Sequence, residues 1–161
     1  MSAALLFGHV LISLVGIAAG FVVARGFLNR TDSKGWTAVF LTTTVATSLS
    51  GFLLPADRIL PSHVFAVLSL IALPVGIFAH YVRPDRLGWH KTYVATALFA
   101  QYLNVFVLVV QLFQKVPALH TLAPTQSEPA FAIAQFALLV SFVTLGYFSL
   151  RSERPVLVAV R

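Results

Sequence analysis

Apolar and polar positions alternate along this chain in long blocks. Five apolar runs, at about residues 4–24, 36–54, 60–82, 92–114 and 130–150, are separated by short polar connections. Each run approaches the ~20 residues that carry a helix across the hydrocarbon of a bilayer. The pattern predicts an all-α fold, a polytopic bundle of five transmembrane helices forming one domain over residues 1–161. The first run lacks a basic segment before it, and its first positive charge, Arg25, follows it. It reads as a retained helix rather than a cleaved leader. The longest connection, VPALHTLAPTQSEP at 116–129, contains three prolines and is expected to form an ordered cap.

Within the runs, small and polar residues fall on single helix faces. His9, Ser13, Gly16, Gly20 and Ala24 recur every three or four positions in the first run, and Gly16 to Gly20 is a GxxxG. Such a face lets helices approach closely. Packing within the chain is the expected use, and a homo-oligomer through the Gly16/Gly20 face is the alternative. The third run has a comparable stripe, Ser62, Ala66, Ser69, Leu73, Gly76 and His80, interrupted by Pro74. A kink is expected there, because proline frees the carbonyl of Leu70. The second run carries Thr42, Thr43, Thr44, Thr47, Ser48 and Ser50, most of which are expected to bond back to their own helix.

The fourth run is the most polar. His90, Tyr93, Ala97, Gln101, Asn104, Leu108, Gln111 and Lys115 share one arc of a helix. An amide facing lipid costs several kcal/mol, on the order of 2–7. The stripe must therefore face protein, water or a ligand, which puts this helix at the centre of the bundle. Near the midplane, Gln101 and Asn104 are expected to bond to other helices, with Thr43, Thr47 and Ser69 at similar depth.

Charge sets the orientation. Nine of the eleven Lys and Arg residues fall on one side: Arg25, Arg30, Lys34, Arg83, Arg86, Lys91, Arg151, Arg154 and Arg161. Only Arg58 and Lys115 fall on the other. The positive-inside rule then places the N-terminus outside and the C-terminus in the cytoplasm. Trp36 and Trp89 both lie at the cytoplasmic rim, where indoles anchor. The net charge of +6 is concentrated in these short loops, a pattern that suits an anionic leaflet and not nucleic acid.

Composition narrows the chemistry. Hydrophobic residues make up 58% of the chain and charged residues 10%, against about 25% charged in soluble domains. Absence of cysteine removes disulfides, thiolate metal sites, iron–sulfur clusters and cysteine nucleophiles. Histidine remains as the ligand for a haem or soft metal. At ~1.5 Å per residue, His9 and Gln135 lie about 8 Å, and His63 and Gln111 about 12 Å, outward of their helix centres. These four groups define a candidate ligand site, an outward-facing polar cavity capped by the 116–129 loop with His120. Gln101 and Asn104 extend it inward. His80 and His90 are expected to be interfacial.

The run YLNVFVLVVQLFQKVPALHTLAPTQSEP, with SGFLLP and LPSHVFAVLSLIAL upstream, resembles a family of small bacterial inner-membrane proteins with no known activity. The similarity covers roughly residues 49–146. It implies size, location and architecture, but no catalytic residue, substrate or cofactor.

No recognised nucleophile, metal or nucleotide motif is present, and no spanning run carries Asp, Glu, Lys or Arg in its interior. The expected function is therefore non-enzymatic: a scaffold, an accessory subunit, or a binder of a lipid-like small molecule, in contact with the bilayer or another membrane protein. One alternative is a redox protein holding non-covalent haem b or a metal ion between His9 and His63. Another is a small neutral-solute transporter using the fourth-helix stripe. An enzyme acting on a lipid or quinone ranks last, since His9 or His63 would have no catalytic partner.

Overall fold

The computed structural model describes residues 3–31, 34–54, 61–84 and 86–152. Of these, 88% are helical and none lies in a strand. The elements are α1 (Ala3–Asn29), α2 (Lys34–Gly51), α3 (Pro61–Tyr81), α4 (Leu87–Lys115), α5 (Pro117–Leu122) and α6 (Pro129–Ser152). Arg58, Arg154 and Arg161 lie outside the described residues.

Four helices are long and apolar enough to cross a membrane: Ala4–Asn29, His63–Tyr81, Gly88–Lys115 and Pro129–Arg151. Large apolar side chains cover their outer surfaces, among them Phe7, Ile71, Ile133, Phe136 and Val143, all more than 60% exposed. A surface of this kind is stable in lipid and not in water. The second predicted span is the exception. α2 is 18 residues long, starts with Lys34 and carries seven Thr and Ser side chains, so its apolar content is lower.

The five long helices alternate in direction. Phe27 near the end of α1, Thr37 near the start of α2, His80 near the end of α3 and Tyr93 near the start of α4 meet at one end. At the other end, His9 of α1 bonds to Ser50 of α2. α6 runs antiparallel to α4, as the pairs Phe113–Phe131, Phe106–Gln135 and Tyr102–Phe142 show in succession. One end of the bundle thus gathers Arg25, Arg30, Lys34, Arg83, Arg86, Lys91 and Arg151, and the opposite end has Lys115. Despite its hydroxyls, α2 extends between the same two ends as its neighbours.

α4 is the axis. It touches α1, α2, α3, α5 and α6, and 44% of its most apolar stretch is buried, against 11% for α6. The expectation that the amide-bearing helix lies at the centre therefore holds. The main core joins Ala19 and Val23 of α1, Phe40 and Leu41 of α2, Leu73 and Ala79 of α3, and Tyr93, Ala97 and Ala100 of α4.

Glycines let these helices close up at specific points. Gly16 and Gly20 of the GxxxG are buried within the chain, Gly16 against Thr43 of α2 and Gly20 against Gln101 of α4. A second copy would reach this face only by displacing those side chains. On α3, a Cβ at Gly76 would stand 2.6 Å from Thr96 Oγ1 of α4. α3 runs unbroken through Pro74, whose ring is on the exposed side. The end of α1 is a tight cap. Arg30 takes a left-handed conformation with φ of 56°, and the Thr31 N–H donates to the Gly26 carbonyl at 3.0 Å. This is the Schellman pattern, and it needs glycine at 26 because a Cβ there would meet the Thr31 carbonyl oxygen at 2.7 Å.

Candidate functional site

The polar stripe of α4 is buried in its middle and open at both ends. Tyr93, Ala97 and Gln101 are each 3% exposed or less, whereas His90, Gln111 and Lys115 are exposed. Three of its members bond across to α1 or α2. The Tyr93 hydroxyl lies 3.1 Å from Thr37 Oγ1 of α2. Gln101 Nε2 donates to the Ile17 carbonyl of α1 at 2.8 Å. Asn104 Nδ2 donates to Thr44 Oγ1 of α2 at 3.2 Å.

Gln101 Oε1 is buried and accepts no conventional hydrogen bond. It occupies the position that a Gly20 Cβ would take. Only a residue without a Cβ at 20 leaves room for this oxygen. One amide therefore brackets the GxxxG, with its nitrogen on Ile17 and its oxygen on Gly20. The hydroxyls divide as their positions dictate. Thr43 and Ser50 bond back to the α2 carbonyls of Val39 and Thr47, while Thr37 and Thr44, the buried ones, turn to α4.

Of the four groups assigned from sequence to a polar cavity, three have separate contacts. His9 is half-buried and its Nδ1 lies 2.8 Å from Ser50 Oγ. His63 stacks on Phe52, with ring centroids 5.7 Å apart. Gln135 Nε2 donates to the Phe106 carbonyl at 3.3 Å, and Gln111 is exposed. The end of α2 lies between the two imidazoles, one on Ser50 and the other on Phe52. His120 is exposed on α5. Among the described residues no group of three His, Asp or Glu side chains is placed to hold a metal ion.

Open space lies instead at the basic end. A cleft of about 460 Å³ is lined by Arg86, Gly88, Trp89 and Thr92 at the start of α4. A second, of about 310 Å³, runs between α2 and α3 and is lined by Ala38, Leu41, Thr42, Val45, Ile77 and Tyr81.

Comparison with protein-family models, curated proteins and solved structures finds no match to this chain.

The cap at the Lys115 end shows what sequence reasoning missed. Within 116–129 the chain forms α5, with Pro117 in its first turn where a missing N–H is harmless. Gln126, at φ 60°, folds back so that its Nε2 donates to the Val110 carbonyl of α4 at 3.0 Å. Glu128 accepts from Thr125 N–H and Thr125 Oγ1 through Oε1, and from Ser127 N–H through Oε2. Partial desolvation raises the Glu128 carboxyl, but these hydrogen bonds outweigh it and hold it below the usual glutamate range. The signal was present as a glutamate just before Pro129 at a helix start, with hydroxyl residues preceding it. The α2–α3 cleft left no signal, because its lining is made of ordinary core-type residues.

Proposed function

We propose that this chain is a multi-pass protein of the bacterial inner membrane with five spans, N-terminus outside and C-terminus cytoplasmic. In this reading it is non-enzymatic and binds a lipid-like small molecule, as a scaffold or accessory subunit within the bilayer. One observation carries the reading: Tyr93, Gln101 and Asn104 of α4 each bond to another helix, while an open cleft lies between largely apolar walls of α2 and α3. Polar groups engaged in this way stabilise the bundle by roughly 0.6 to 2 kcal/mol each and are not presented to a substrate. The crowding of cations at one end supports the orientation, and the alternating helix directions support α2 as the fifth span.

The test is purification in mild detergent followed by native mass spectrometry and a visible spectrum. A retained amphiphile with no Soret band is expected. A Soret band, or protein that retains no amphiphile under conditions that preserve its fold, would contradict this reading.

A further inference from the structure

We draw no further inference here: the strongest candidate, the largely apolar cleft between α2 and α3 lined by Ala38, Thr42, Val45, Ile77 and Tyr81, is the opening already given to the proposed function, and nothing in the structure shows what covers it.

Discussion

A glutamine amide buried away from water is costly unless it is hydrogen-bonded. Gln101 donates to the Ile17 carbonyl of α1, and its oxygen lodges against the bare Cα of Gly20 one turn on. The consequence is specific to the glycine. Gly20→Val should push the amide out of place and destabilise the bundle by roughly 1–3 kcal/mol, as overpacking does. Gly8→Ala should be neutral, since a Cβ there meets nothing within 4 Å. Thermal unfolding in detergent compares the two directly. Glu128 supplies a pH-dependent counterpart. Its carboxyl is held below the usual range by Thr125 and Ser127, so it stabilises the cap above the ordinary glutamate pKa. That contribution is lost as pH falls through the lower, folded value. Exchange of the Thr125 and Ser127 amides should therefore remain protected near neutrality and become unprotected in acid, and Glu128→Gln should abolish the dependence. The α4 amides were legible at this scale, because spacing alone puts Gln101 and Asn104 on a face that lipid cannot cover. Their partners were less so. The hydroxyls expected at their depth were Thr43, Thr47 and Ser69, whereas Asn104 meets Thr44, and the carbonyl of Ile17 leaves no trace in a sequence.

At the scale of elements, α4 holds the other helices together and α2 is the one whose role composition obscures. Asn104 and Thr44 join the two directly. A double-mutant cycle with Asn104→Leu and Thr44→Val should return a coupling of about 0.6 kcal/mol, and at most ~2, the range for polar pairs between membrane helices. A coupling of zero would show that the pair is merely adjacent. Each long helix overlaps one of the hydrophobic blocks, with ends that differ by as many as five residues. The blocks missed α5, because six residues led by proline carry no periodic signal. They also ended the first span at residue 24, whereas α1 continues past Arg25 to a cap at Arg30 and Thr31. A charged side chain does not end a helix; a left-handed residue does. The outer polar groups show the limit of reasoning from depth. His9, His63, Gln111 and Gln135 were placed at comparable heights, but height does not say which way a side chain points around its helix. His9 is engaged by Ser50, and Gln135 by the backbone of α4.

For the molecule as a whole, the account depends on parity. Four crossings would return the C-terminus to the side on which the chain began, and five place the ends on opposite sides. The difference rests on the hydroxyl-rich α2. It runs from Thr37, beside Tyr93 at the basic end, to Ser50, beside His9 at the other, and so spans the same depth as its neighbours. Because the chain contains no cysteine, single cysteines can report the side of the membrane without background. Gly35, with open space around it, and the exposed Leu53 mark the two ends of α2. Labelling of Gly35→Cys and Leu53→Cys with a membrane-impermeant maleimide on intact cells tests the arrangement most directly. The account predicts that Leu53→Cys reacts from outside and that Gly35→Cys reacts only once the inner face is opened. Both cysteines reacting from the same face would mean that α2 does not cross, and the five-span bundle would be wrong.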